Sequence, residues 1–240
     1  MGRKFEVRKA SMAKSGLHKT KLYSRFGKEI YMCAKQGGTN PEANLALKHL
    51  IERAKKQQVP MDVIKRNIDK VEGGAVEEYT AVRYEGFGPS GSSFIVDTLT
   101  DNVNRTVSEV RNCFTKIGSK MGVKGSVEHM YEHLSYVTVL GITADDILEL
   151  LLETDIEVND IEDTPEGIEI TADGYALDDI EKTLRKVEAI QILDSEQGWY
   201  PLDYVTLSAS DYEKFEKFMG MINDLDDVQN VYHNVNNSEL

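Results

Sequence analysis

Two cysteines, Cys33 and Cys113, stand 80 residues apart in a chain of 240. They are too few for a disulfide scaffold and wrongly spaced for a zinc site, so the chain reads as a protein of a reducing compartment, here the cytoplasm. Five prolines and 18 glycines exclude a collagen-like or low-complexity chain, and 40% hydrophobic residues exclude a wholly disordered one. No apolar run approaches the roughly 18 residues of a membrane span, and none follows the basic start as a secretory signal requires. Glu6 stands where N-myristoylation demands Ser or Thr. The bases near the start are mostly lysines, which argues against a mitochondrial transit peptide. No Ser-His-Asp or Cys-His arrangement can be argued from spacing, so no enzyme, cofactor or small-molecule substrate is expected.

What the chain has is charge, unevenly placed. The net charge is −13, which taken whole argues against nucleic acid. Residues 1–70, however, carry 17 Lys and Arg against 6 Asp and Glu, a net of +11, whereas residues 128–240 carry 5 against 28, a net of −23. A basic head on an acidic body is an electrostatic dipole, and a segment with so few acids is not an ordinary solvated face, where the signs mix.

Hydrophobic spacing divides the chain further. Residues 1–18 show little apolar periodicity and read as an arm. Leu22, Phe26, Ile30 and Cys33 recur at helical spacing up to Gly37-Gly38. Thr39-Asn40-Pro41-Glu42 is a helix start, and Leu47, Leu50, Ile51 and Ala54 give the next helix its buried face. Ile64, Ile68 and Val71 line a third helix after Val59-Pro60. Strands are expected over 79–85 and 94–99, and a helix over 106–117 opened by the capping box Thr106-Val107-Ser108-Glu109, before an irregular stretch at 118–126. Strand 135–140, helix 143–153, strands 156–161 and 167–172, helix 176–188 and a strand near 189–193 spell βαββαβ, the ferredoxin-like order. The tail 203–233 adds strand, helix and strand. Neither the tail nor the ββα unit at 79–117 can bury its own apolar face, so the two are expected to pack together around the insertion. The fold class is therefore α+β in three domains. They are a basic helical head with its arm (1–76), an α/β domain in two pieces (77–133 and 203–240), and an acidic ferredoxin-like domain (134–202).

Several motifs invite chemistry and lose it on inspection. Gly86-Phe87-Gly88-Pro89-Ser90-Gly91 matches a dinucleotide fingerprint in letters, but a strand follows where a helix must, so a hairpin turn is the reading. His129 and His133 are spaced for a metal only if helical, and no third ligand lies near. Asp145-Asp146 and Asp178-Asp179 sit at helix starts, where the dipole favours them. Around Asn102, Asn104, Arg105 and Thr106, a strand runs into a helix N-terminus; phosphate or backbone contact and plain capping remain equal alternatives. The basic head is the strongest signal. Arg3, Lys4, Arg8, Lys9, Lys14, Lys19, Lys21, Arg25, Lys28, Lys65 and Arg66, close to Phe5, Tyr23 and Phe26, are the candidates to neutralise phosphates.

Met1-Gly2-Arg3-Lys4-Phe5, Ala34-Lys35-Gln36-Gly37-Gly38, Asn40-Pro41-Glu42-Ala43-Asn44, Tyr84-Glu85-Gly86-Phe87-Gly88-Pro89, the run from Leu99 to Thr106, and Gly125-Ser126-Val127 together resemble the YebC/PmpR-like family. That family includes the mitochondrial translational activator of cytochrome oxidase. Phe5 stands where the family usually has Trp, and Gly118-Ser119 where it has Gly-Gly, which marks a divergent subgroup. The resemblance implies the same three domains and a cytoplasmic, non-enzymatic regulator of gene expression. DNA-binding transcription regulation comes first. A ribosome-associated, RNA-binding translation factor that relieves stalling is the alternative. A third possibility, from the charge alone, is a protein-interaction adaptor whose acidic domain meets basic partners.

Overall fold

In the computed structural model, residues 19–74 and 77–236 are described. The described chain forms two compact units, one of residues 19–128 with 204–236, the other of residues 129–203.

The head consists of α1 (Lys19–Gly37), α2 (Leu45–Lys56) and α3 (Met61–Glu72). Its core joins Phe26, Ile30 and Ala34 of α1 to Leu47, Leu50, Ile51 and Ala54 of α2 and Ile64 of α3, with Val59 plugging the turn. Each large side chain so buried contributes about 1.5–3 kcal/mol. The start of α2 differs from the sequence expectation. Residues 41–43 form a turn, and Asn44 is the cap. Its carboxamide oxygen accepts from Leu47 N at 3.1 Å, and its nitrogen donates to the carbonyls of Cys33 at 3.1 Å and Gly38 at 2.9 Å. One buried side chain thus closes α1 and opens α2.

Beyond the head come β1 (Thr80–Phe87), β2 (Ser93–Thr100), α4 (Val103–Lys116) and the short β3 (Lys120–Met121). Residues 88–92 are the expected hairpin turn: Gly88 N donates to Ser92 O at 2.8 Å, and Gly91 adopts φ +80°. Helix α4 begins four residues earlier than the capping box indicates, with Asn102 rather than Thr106 as its cap. Asn102 accepts from Arg105 N, and Thr106 lies inside the helix with its hydroxyl turned inward.

The inserted unit runs β4 (Tyr131–Leu140), α5 (Ala144–Leu152), β5 (Val158–Thr164), β6 (Gly167–Asp173), α6 (Leu177–Leu184) and β7 (Gln191–Pro201). The sheet order β5-β6-β4-β7 is that of a ferredoxin-like fold. Val137, Val139, Ile168 and Ile170 meet Ile147, Leu151, Ile180 and Leu184 of the two helices. Strands β4 and β7 are longer than their hydrophobic pattern, because they pair from Tyr131 with Pro201 to Leu140 with Gln191. His129 lies in a single helical turn and His133 on β4, so the two share no helix face.

The tail supplies α7 (Ala209–Asn223) and β8 (Val228–His233). As expected, β8 pairs with β2, completing the antiparallel sheet β3-β1-β2-β8. The strand expected at its start is only an isolated bridge between Val205 and Val235. One face of this sheet packs on α4 and α7. Phe94 meets Phe114, Phe215 and Phe218, with ring centroids 4.4 Å apart for Phe218. Gly86 is required there, since a Cβ would run into the Phe114 ring.

Candidate nucleic-acid interface

The expectations on Arg3, Lys4, Arg8, Lys9 and Lys14, and on the side chain of Lys19, lie outside the described residues. The remaining bases of the head divide into two sets. Lys21, Arg25 and Lys28 recur along one stripe of α1 and turn toward the sheet. Lys21 pairs with Asp224 at 2.9 Å, Arg25 Nη2 donates to Asn230 Oδ1 at 3.2 Å, and Lys28 pairs with Asp227 at 2.7 Å. Lys28 also donates to the carbonyls of Leu99 and Asp226, so its expected role toward phosphate is corrected: it holds α1 to the sheet.

Lys65 and Arg66 of α3 stand exposed. Arg53, Lys55 and Lys56 in the last turn of α2 are also exposed, and they were missing from the candidates. The signal was available. With Leu47, Leu50, Ile51 and Ala54 facing the core, helical phase leaves positions 53, 55 and 56 outside. Bases at a helix C-terminus are also favoured by its dipole.

Asp227 organises the junction of head and sheet. Its carboxylate accepts from Lys28 at 2.7 Å, Arg105 at 2.6 Å, Thr106 at 2.8 Å and Thr100 at 3.0 Å. Burial by itself would raise this carboxyl, but the hydrogen bonds from Arg105, Lys28 and Thr106 outweigh it and hold the group far below the usual carboxylate range. Arg105 bonds Asp101 as well, at 2.8 Å. The alternative readings of this turn therefore separate. Asn102 caps, Arg105 and Thr106 are spent on Asp227, and Asn104 stays exposed. A cavity of about 460 Å³ opens beside them, where Lys28 and Arg105 face Asp101, Asp224, Asp226 and Asp227. With its two bases already neutralised, it repels a phosphate.

Glu85 anchors the irregular stretch after β3. Its buried carboxylate accepts from the backbone N–H groups of Gly125 and Val127, both at 2.6 Å, and of Glu128 at 3.0 Å. Burial raises this carboxyl, yet three amide donors overcome that and leave it below its ordinary value. Gly125 sits at φ +82°, which explains a glycine there. Among the described residues no group of three or more His, Cys, Asp or Glu is placed to hold a metal, and no helix is long and apolar enough to cross a membrane. Asp146 and Asp178 lie in first turns of their helices, as expected.

Comparison with known proteins agrees with this architecture. The family model described as the TACO1/YebC protein N-terminal domain matches residues 3–74. That of the TACO1/YebC second and third domain matches residues 79–235. The chain is 48% identical over 235 residues to a protein of Alteromonas mediterranea and 50% identical over 235 residues to one of Vibrio cholerae, with 98% of each chain covered. Both relatives are named probable transcriptional regulatory proteins. The crystal structure of a conserved hypothetical protein from Aquifex aeolicus superposes with a TM-score of 0.69 at 33% identity, covering 93% of both chains.

Proposed function

Since this chain belongs to the TACO1/YebC family, we propose that it is a non-enzymatic, cytoplasmic regulator of gene expression that binds nucleic acid through its basic head and arm. One observation carries this reading. Arg53, Lys55, Lys56, Lys65 and Arg66 are exposed on two consecutive helices of the head, while Asp62, Asp69 and Glu72 are the exposed acids of α3. Such a surface neutralises phosphates and releases counterions. The acidic inserted unit, with a net charge of −16 over residues 134–206, takes no part in phosphate contact and is free to meet basic protein. Duplex DNA is the first partner to consider, because relatives in several species are named probable transcriptional regulatory proteins.

RNA, including ribosomal RNA, is favoured by a different observation. A recognition helix reads bases from its first turns, but the first turn of α3 presents Met61 and Asp62, and its bases begin at Lys65. That pattern suits contact with a phosphate backbone rather than base readout. Sedimentation of a lysate with separate DNase and RNase controls decides between them. Co-sedimentation abolished by DNase supports the transcription regulator, and co-migration with ribosomes abolished by RNase supports the translation factor. A protein that migrates alone, and still binds basic partners, overturns the nucleic-acid reading in favour of an adaptor.

A further inference from the structure

The inserted unit keeps its charges apart. Its Lys and Arg residues are Lys182, Arg185 and Lys186, in or just after α6. The first two pair with Asp179 at 3.0 Å and with Glu181 at 3.6 Å, on the helical side. The opposite face of the sheet is acidic. Val137, Val139, Ile168 and Ile170 point to the helices, so their neighbours along the strands point away. Strand register then brings Glu132, Asp160, Glu162, Glu169, Asp194 and Glu196 together on that second face, with no Lys or Arg among them. Tyr136 and Tyr200 lie between these acids, their rings edge to face with centroids 4.9 Å apart, and Tyr200 Oη donates to Glu196 Oε1 at 3.2 Å.

Such a face is costly unless positive charge meets it. Glu169 stands directly opposite Glu162, and like charges so placed destabilise a sheet. Glu169 is also only 8% exposed, although both described helices of the unit pack on the other side. A carboxylate withdrawn from water beside another requires a cation. Four-stranded sheets that bind RNA lay unpaired bases on their aromatic residues, but these carboxylates repel a phosphate backbone. The occupant that fits is a basic peptide segment, and the chain carries one. Outside the described residues stand 1–18, 75–76 and 237–240. The last two hold no Lys or Arg, whereas the first holds five, with Glu6 as its one acid. Arg3, Lys4, Arg8 and Lys9 bring cations, and Phe5 a ring, to match the carboxylates and the tyrosines. A segment of that length reaches up to about 60 Å, and four strands span about 14 Å, so length is ample.

We propose that the arm, residues 1–18, docks on the acidic sheet face when nucleic acid is absent, and that nucleic acid and this face compete for Arg3, Lys4, Arg8 and Lys9. Tethering supplies the arm at millimolar effective concentration, while each ion pair at a surface is individually weak and screened by salt. The arm is therefore exchanged readily for a phosphate backbone, where counterion release adds its own drive. The acidic unit acts as a built-in competitor: scattered phosphates fail to displace the arm, and a strand that also engages Lys65 and Arg66 succeeds. This rests on the nucleic-acid reading above and adds to it a regulation of that binding.

The test uses the full chain and its magnetic resonance spectrum. The rings of Tyr136 and Tyr200 and the Glu169 amide report the acidic face, and the methyls of the buried Ile147 and Ile180 report the helical side. With Arg3→Gln, Lys4→Gln, Arg8→Gln and Lys9→Gln combined, the face resonances are expected to move at low salt and the helical ones to stay. Added salt and added nucleic acid should each move the wild-type face resonances toward the same positions. Glu162→Gln with Glu169→Gln and Glu196→Gln should free the arm and tighten nucleic-acid binding about 3- to 10-fold at low salt, which corresponds to an arm docked for about two-thirds to nine-tenths of the time. Glu132→Gln with Glu162→Gln changes exposed positions only and should tighten binding in the same direction. The gain should vanish in the arm-substituted background. Face resonances unmoved by the arm substitutions overturn the docking and leave the proposed function standing. Movement that grows with protein concentration, or that a basic peptide added in trans produces equally in wild type and arm variant, overturns the arm of the same chain as occupant. A gain that persists without the arm's charges, or no gain in either face variant, overturns the competition. Docking in a chain that binds no nucleic acid overturns the competition and the proposed function together.

Discussion

Replacing Asp227 by Asn keeps its shape and removes its charge, and the structure sets the cost. The carboxylate side chain is 4% exposed and accepts four hydrogen bonds, two of them from cations. A hydrogen bond to a charged group is worth about 1.5–3 kcal/mol. The Lys28 ammonium, 13% exposed, keeps its carbonyl partners at Leu99 and Asp226 but loses its carboxylate, about 2 kcal/mol. The Arg105 side chain is 45% exposed, so solvent screening reduces its share to about 1 kcal/mol. The asparagine oxygen still accepts from Thr100 or Thr106. The expected loss is about 3 kcal/mol, a fall in melting temperature of about 6–12 °C for a unit of this size. The only tryptophan, Trp199, lies on β7 in the other unit, so its fluorescence follows the inserted unit while circular dichroism and amide exchange of β2 and β8 follow the mutated one. The charge also gives the effect a pH signature. Asp227 has its folded-state carboxyl lowered, so its contribution is complete above the ordinary value near 4 and is lost as pH falls through the lowered one. Wild type and Asp227→Asn should therefore differ fully at pH 7 and converge in strong acid. An Asn variant as stable as wild type at pH 7 would refute the role given to Asp227.

Other outcomes follow from the same contacts. Glu85→Gln removes the charge that holds the backbone at 125–128. The amides of Gly125, Val127 and Glu128 should then exchange at least tenfold faster, which corresponds to about 1.4 kcal/mol or more, while the β4 amides keep their protection. Phe218→Ala, in the tail, should cost about 3–5 kcal/mol and deprotect β1 and β2, because its ring fills a core those strands share. Charge reversal of Arg3, Lys4, Arg8 and Lys9 to Glu should abolish most nucleic-acid binding without moving the melting temperature, read by anisotropy and calorimetry on the same sample.

The order of elements was legible because each obeys a local rule. The βαββαβ order expected within residues 134–202 follows from periodicity and turn signals, and the return of β8 to β2 follows from two apolar faces that needed one another. Helix starts were less legible. Thr39-Asn40-Pro41-Glu42 and Thr106-Val107-Ser108-Glu109 both carry the letters of a start, yet Asn44 and Asn102 perform the capping, since tertiary contacts to Cys33 and Gly38, and to Asp227, select among nearby polar residues. The interface was legible only in its sign. Lys28 looks like any base of the head, and its partner Asp227 stands 199 residues away, a pairing no local pattern can carry. The three-donor clamp on Glu85 is hidden for the same reason: an acid in a strand reads as solvent-facing until the segment that covers it is seen.

The central claim is that the exposed bases of the head bind a phosphate backbone, and the salt dependence of binding tests it most directly. With about five phosphates neutralised, log K should fall with log salt at a slope near −4.5 on duplex or −3.5 on a single strand. Reversing Lys65 and Arg66, both exposed, to Glu should flatten the slope by about 1.8 or 1.4. Reversing Asp145, Asp146, Asp178 and Asp179 on the acidic unit should leave binding undiminished. A Lys65→Glu, Arg66→Glu protein that binds with the wild-type slope, beside an acidic-unit variant that loses affinity, would contradict the account.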